Sequence, residues 1–248
     1  MSTSKNWFDQ GGQSYARFRP EYPPVLAEFL ASLSADRYVA VDVGCGTGQL
    51  TQLLAQHFQS VRGFDPSADQ IGHATTMANV QYQCAPAERL PMADASATLI
   101  TAAQAAHWFD LPRFYEEVRR VGMPGGALAL ISYGVLNLEP DLNARFKHFY
   151  WNEIGPYWPP ERQLVDTGYA TIAFPFEEVV PPALHIQLNW NLFEFLGYVS
   201  TWSAIRSARE AGQGAVVETF ATDLSQRWGA PETKRPICWP INMRIGTL

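Results

Sequence analysis

The sequence has little to offer a metal ion or a disulfide framework. Its three cysteines, Cys45, Cys84 and Cys238, stand far apart without a Cys-x-x-Cys pair, and the five histidines are equally scattered. No metal site is expected. Positive charge is also in short supply: 18 Lys and Arg against 24 Asp and Glu give a formal charge of −6 with no basic block, a field that repels polyanions. Nucleic acid is therefore not the expected partner. No apolar run approaches the roughly 18 residues of a membrane span, and the stretch from Met1 to Gln13 is polar, without the apolar segment of a secretory leader. These absences point to a soluble, cytoplasmic protein with no membrane contact. Repeats and low-complexity segments are missing too. What the chain has in quantity is aromatic residues: 8 Trp, 10 Tyr and 14 Phe in 248 residues, enough to line a pocket or to fill a core. Its length and its 47% hydrophobic share suit one large α/β domain or a domain with a cap.

The most informative stretch begins with the apolar run Val39-Ala40-Val41-Asp42-Val43, continues as Gly44-Cys45-Gly46-Thr47-Gly48, and enters a helical pattern at Gln49-Leu50. It reads as strand, tight turn, helix. Gly44 and Gly46 have no Cβ, so the backbone is free to take positive φ and a nucleotide-type ligand can lie directly against the peptide groups. A dinucleotide fingerprint would place its third glycine where Gln49 stands. Here it comes one residue earlier, in an acid-x-Gly-x-Gly-x-Gly order, which favours S-adenosylmethionine over NAD. At these residues the chain resembles the class I S-adenosylmethionine-dependent methyltransferases. The resemblance implies a doubly wound, Rossmann-like seven-stranded mixed sheet whose last strand is antiparallel, with a helical or loop cap. It also implies S-adenosyl-L-methionine as cofactor and S-adenosyl-L-homocysteine as product.

Before the glycine turn, Phe8, Tyr15, Arg19, Pro20, Tyr22 and Pro23 form a Phe-x6-Tyr-x3-Arg-Pro-x-Tyr-Pro arrangement, followed by the amphipathic pattern Val25, Leu26, Phe29, Leu30, Leu33. This arrangement is similar to that of the small-molecule, type 11 or trans-aconitate methyltransferase-like subgroup, in which such an arm folds over cofactor and acceptor. By that likeness Tyr15 belongs to the cofactor site, and Arg19 would hold the cofactor's methionine carboxylate or else orient the acceptor. A surface arm held by aromatic packing is the alternative.

After the turn, Val61-Arg62-Gly63-Phe64-Asp65 reads as the second strand, ending on an acid 23 residues beyond Asp42. That is the distance expected of a carboxylate that accepts from the two ribose hydroxyls; a helix-preceding cap is the plainer reading. Pro66 fixes the chain there, and Ser67 with Gln70 forms a capping box for a helix carrying Ile71 and Met77. The strand Val80 to Cys84 leads into a loop that, by the resemblance, closes over the adenine: Ala87 offers backbone groups and Glu88 accepts from the exocyclic amine, unless Glu88 is simply solvated.

The fourth strand, Ala97 to Ala103, runs into Gln104-Ala105-Ala106-His107-Trp108, where an open α/β sheet binds ligands at its strand ends. The Asn/Asp-Pro-Pro-aromatic motif of nucleic-acid amino-methyltransferases is absent, and Gln-x-x-His-Trp matches the small-molecule subgroup, with Gln104 assigned to the cofactor. His107 is either a general base or a pocket wall. Asp110-Leu111-Pro112 starts a helix that ends at Gly122, and Gly125-Gly126 introduces the strand Ala127 to Tyr133, completing five parallel strands. Tyr133 either touches the acceptor or is an ordinary core-edge tyrosine.

From Asn137 to Ile172 the pattern changes to a helix with Leu142, Phe146, Phe149 and Tyr150 and then a proline-rich stretch, read as a cap that presents Arg162 to an anionic acceptor or leaves it in a surface salt bridge. Leu184 to Trp190 alternates as a sixth strand. Helical patterns follow at Leu192 to Ser207 and Val216 to Trp228, and a last strand, Pro236 to Leu248, has no room for a crossover and should pair antiparallel. By the resemblance, Gly197 to Ala204 lines the acceptor pocket.

The expected organisation is an N-terminal arm and helix over residues 1–36, a cofactor-binding core over 37–134, a cap insertion over 135–180 and a C-terminal part completing sheet and pocket over 181–248. The cofactor set is Tyr15, Arg19, Asp42, Gly44, Cys45, Gly46, Asp65, Pro66, Ala87, Glu88 and Gln104; His107, Tyr133 and Arg162 are the candidates at the acceptor. The expected activity is methyl transfer to a small molecule, a carboxylic acid being one candidate, by a monomer or weak homodimer. An NAD-dependent enzyme on the same kind of sheet and a non-catalytic cofactor-binding protein are the alternatives.

Overall fold

The computed structural model describes residues 19–248 except residue 35. Tyr15 and the part of the arm from Phe8 to Phe18 lie outside the described residues. The described chain divides into two compact units, one of residues 21–134, 163–184 and 241–248, the other of 19–20, 135–162 and 185–240.

The first unit opens with α1 (Pro24–Ser32), which starts on proline and buries Leu26, Ala27, Leu30 and Ala31 along one stripe. There follow β1 (Val39–Val43), α2 (Gln49–Leu54), β2 (Ser60–Asp65), α3 (Ala68–Gly72), β3 (Val80–Cys84), β4 (Ala97–Ala103), α4 (Leu111–Val121) and β5 (Gly122–Tyr133). Strands β1 and β4 are apolar through nearly their whole length because they lie inside a parallel sheet, where both faces are covered. Helix α4 begins where expected: the Asp110 side chain accepts from the Arg113 N–H at 3.5 Å, and Phe114, Val118 and Val121 are buried. Two boundaries differ. Helix α3 stops at Gly72, so Met77 is not on it; Ser67 does cap it, its hydroxyl accepting from the Gln70 N–H at 3.4 Å. Strand β5 begins at Gly122 and passes through Gly125 and Gly126, since a bulged register against β4 keeps the pairing going.

Beyond β5 come α5 (Pro140–His148), α6 (Arg162–Asp166), β6 (Glu177–Val179), β7 (Leu184–Trp190), α7 (Leu192–Ser200), α8 (Ser203–Glu210), α9 (Gly214–Trp228) and β8 (Arg235–Thr247). Seven strands lie in the order β3-β2-β1-β4-β5-β8-β6, and β7 pairs with β8 off that path. β1 to β5 pair in parallel, while β8 runs antiparallel to β5, from Tyr133↔Ile241 to Ala127↔Thr247. The mixed, Rossmann-like sheet with its antiparallel last strand is thus as the sequence predicts, save that β6 precedes the strand read as the sixth.

In the second unit the pattern read as one helix over Leu192 to Ser207 is two. The Ser200 and Thr201 hydroxyls donate to the carbonyls of Gly197 (2.7 Å) and Tyr198 (2.6 Å), and Trp202 is extended at ψ 139°, which ends α7. Much of the aromatic excess goes into this unit's core: Phe149 stacks on Phe220 at 3.8 Å, and Trp228 and Trp239 are fully buried. Each such ring contributes on the order of 2 kcal/mol through burial. No described helix is long and apolar enough to cross a membrane.

Candidate active site

Three strand ends of the first unit converge. Leaving β1, the chain takes left-handed conformations at Gly44 (φ 69°), Gly46 (φ 55°) and Gly48 (φ 87°), which side chains rarely tolerate. The Gly44 and Cys45 N–H groups both donate to the Phe64 carbonyl, at 2.7 and 3.0 Å, tying the turn to β2. At the end of β2, one oxygen of Asp65 accepts from the Gly46 N–H at 2.9 Å and the other from the Ser67 N–H at 2.9 Å. Burial pushes the Asp65 carboxyl above the ordinary aspartate range, and the Ser67 and Gly46 N–H groups hold it back. Among the described residues, a Cβ at Gly46 would have only Gln70 Oε1, at 3.6 Å, within van der Waals range, so these residues leave the backbone there open to approach.

Asp42 sits beneath this turn and is 1% exposed. Thr51 donates to its Oδ2 at 2.6 Å and Thr101 to its Oδ1 at 2.9 Å, joining β1, α2 and β4. Burial, outweighing both hydroxyls, pushes its pKa to about 6. A raised folded-state pKa means that this group's stabilisation is complete below the unfolded value of about 3.9 and disappears as pH rises through about 6. The difference is on the order of 3 kcal/mol. Thermal unfolding followed between pH 4 and 7 is expected to show this loss in the wild type and not in Asp42→Asn.

Gln104, leaving β4, is also left-handed (φ 53°). Its N–H donates to the Ile131 carbonyl at 2.8 Å and its Nε2 to the Tyr133 carbonyl at 3.2 Å, so it braces the ends of β4 and β5. Ala105 packs directly on Gly44. His107 follows in a short 3₁₀ turn, Ala106–Trp108, with its Nδ1 3.0 Å from the Tyr169 hydroxyl. Tyr133 is 4% exposed at the end of β5, its ring 6.1 Å from that of Tyr22.

A family model described as a methyltransferase domain matches residues 41–130, the span holding the turn, Asp65 and His107. A Dictyostelium discoideum protein that carries a methyltransferase name is 37% identical over 221 residues, 88% of this chain and 84% of that protein. The chain belongs to the methyltransferase family. A solved structure named as a type II methyltransferase, from Anaeromyxobacter dehalogenans, agrees: 40% identity, TM-score 0.88, covering 93% of this chain and 98% of that one. The malonyl-[acyl-carrier protein] O-methyltransferase of a Marinomonas species is 33% identical over 127 residues, 48% of this chain and 47% of that protein.

For this methyltransferase S-adenosylmethionine is the implied cofactor, and the donor set fits it. The half-buried peptide face at Gly46 can take a nucleoside against the backbone, and each Asp65 oxygen, holding one N–H, keeps a further acceptor site for a hydroxyl. Cys45 lies in the turn with its thiol driven strongly up in pKa by burial, hence inert, and Pro66 directly follows Asp65. After β3, Ala87 is buried, and Glu88 Oε1 accepts from the Asp110 N–H at 2.9 Å, so that carboxylate is partly engaged already. Two expected residues belong to the other unit. The Arg19 guanidinium lies 5.6 Å over the Tyr198 ring. Arg162 lies 4.7 Å over Trp158 and donates through Nε to the Tyr150 hydroxyl at 2.9 Å. Sequence reasoning missed Thr51 and Thr101 on Asp42, Ala105 on Gly44, and Tyr169 on His107. Only hydroxyls facing a strand-end acid could have hinted at the first pair; nothing signals the other two.

Proposed function

We propose that this methyltransferase acts on a small molecule and esterifies a carboxylate, in the manner suggested by its resemblance to the small-molecule, trans-aconitate methyltransferase-like subgroup. The observation that carries the cofactor half is the joint between Gly46, Asp65 and Ser67: one carboxylate spans the glycine turn and the next helix, and each of its oxygens keeps an acceptor site that a ribose hydroxyl would use. When bound, the cofactor's sulfonium supplies an electrophilic methyl, which a carboxylate takes up with loss of both charges and no proton to place. The protein's own work is then alignment and exclusion of water. Asp65 holds the ribose, Ala87 and Glu88 meet the adenine, Gln104 braces the strand ends behind the site, and His107 and Tyr133 orient the acceptor. Asp42 acts from below by fixing the turn.

The name of the Marinomonas relative, a malonyl-[acyl-carrier protein] O-methyltransferase, supports a carboxyl acceptor. The net charge of −6 supports small molecules over nucleic acid. A monomer or weak homodimer in the cytoplasm completes the reading.

The test is release of labelled methyl from S-adenosylmethionine over a panel of carboxylic acids, phenols and quinone precursors. Base-labile label on a carboxylic acid is expected, and S-adenosylmethionine, unlike NAD, should raise the melting temperature. Label found on phenols alone would overturn the acceptor assignment.

A further inference from the structure

Tyr169 is one of three described residues other than glycine with a positive φ, here 63°. It follows Gly168 (φ 62°), so two consecutive residues are left-handed. Gly168 alone is accounted for, since a left-handed glycine commonly closes a helix such as α6. Tyr169 is not, because a bulky side chain avoids this conformation unless its surroundings impose it.

Its surroundings do impose it. The Tyr169 N–H donates to the Leu164 carbonyl at 2.8 Å, and Arg244 of β8 donates through Nη1 to the carbonyls of Tyr169 (3.0 Å) and Ile172 (3.3 Å). Arg244 is itself held by Glu178 of β6 in a two-point pair, Nε to Oε2 at 2.8 Å and Nη2 to Oε1 at 2.6 Å. Gly168 fits so closely against β8 that a Cβ there would stand 2.8 Å from Asn242 Cγ. The last strand and the edge strand therefore fix a strained turn whose product is the direction of one fully buried ring. That ring carries its hydroxyl to Nδ1 of His107 at 3.0 Å, with the two rings inclined by 31°.

Between a neutral phenol (pKa about 10) and a neutral imidazole (about 6.5 when protonated), the phenol is the stronger donor and the unprotonated ring nitrogen the stronger acceptor. We propose that Tyr169 is a positioning residue: its hydroxyl donates to His107 Nδ1 and fixes the tautomer with Nε2 protonated, so that His107 meets the methyl acceptor as a hydrogen-bond donor to an oxygen already ionised. This deepens, and rests on, the carboxylate reading given above. A His107 so fixed cannot take a proton at Nε2, the nitrogen a general base acting on a hydroxyl acceptor would use. It can orient a carboxylate, from which no proton has to be removed.

The experiment is ¹⁵N NMR of the histidine side chains in the wild type and in Tyr169→Phe, with steady-state kinetics on the carboxylic acid found by the methyl-release panel. The wild type is expected to show His107 with Nε2 protonated and Nδ1 unprotonated. Tyr169→Phe, which keeps the ring, should show both tautomers. Its kcat should fall roughly tenfold, the scale of one lost hydrogen bond to a polar ring, with affinity for S-adenosylmethionine unchanged. A wild-type His107 protonated at Nδ1, an unaltered tautomer in Tyr169→Phe, or an unaltered kcat would overturn the proposal. The wild-type spectrum decides the matter even if the variant does not fold. A wild type that methylates no carboxylic acid would sink the acceptor reading, whereas the tautomer is read on the protein alone.

Discussion

Asp65→Ala should lower the affinity for S-adenosylmethionine by roughly tenfold to a hundredfold, measured by calorimetric titration. Two losses combine. The first is the proposed hydrogen bonding of the carboxylate to the ribose, charge-assisted and therefore worth about 1.5–3 kcal/mol. The second is internal: with the carboxylate gone, the N–H groups of Gly46 and Ser67 lose their acceptor, and the glycine turn is no longer tied to the helix that follows β2. A turn that must be ordered again on binding weakens binding further. Asp65→Asn should fall between wild type and alanine, because the amide keeps one acceptor oxygen while its NH₂ opposes an N–H. Unchanged affinity in Asp65→Ala would remove the ribose assignment.

Gly44→Ala should have the largest effect on the fold, a destabilisation of about 2–5 kcal/mol in chemical denaturation. A side chain at φ 69° is strained wherever it stands, which contributes about 1–2 kcal/mol. Here the added methyl would also be driven into the Ala105 Cβ and stand 3.3 Å from Phe109 Cζ, and overpacking of that kind costs about 1–3 kcal/mol. Relief of the overlap would move either the turn that follows β1 or the segment that follows β4, and both carry proposed site residues. Cofactor affinity is therefore expected to fall along with stability. Gly125→Ala is the control: its φ is also positive, at 79°, yet no described residue lies within 4 Å of the added methyl, so only the strain should be felt.

The alternation of strand and helix from Val39 to Tyr133 could be read from the sequence because parallel strands buried on both faces become apolar runs, and the turns between them need glycine. The direction of the last strand was legible for a different reason: too few residues precede it for a crossover. β6 escaped notice because Glu177–Val179 is three exposed residues whose only claim to be a strand is pairing with β8. The break between α7 and α8 was hidden because Ser200 and Thr201 end the helix through their own hydroxyls, with neither glycine nor proline to mark it.

In the candidate site the glycine turn and Asp65 stood out through spacing alone. The partners that set the chemistry did not. Thr51 and Thr101 reach Asp42 from 9 and 59 residues away, and Tyr169 reaches His107 across 62, distances that no local pattern encodes. Tyr169 is visible only as a backbone outlier, and its conformation follows from Arg244 and Glu178 still further along the chain.

The most direct test of the central claim, that the turn from Gly44 to Gly48 and the acid at 65 hold the nucleoside together, is a crystal structure of the protein with S-adenosylhomocysteine. The ribose hydroxyls are predicted within hydrogen-bond distance of the Asp65 carboxylate, with the ligand lying along the peptide groups at Gly46. A ligand bound elsewhere, or an Asp65 side chain turned away from it, would contradict the account.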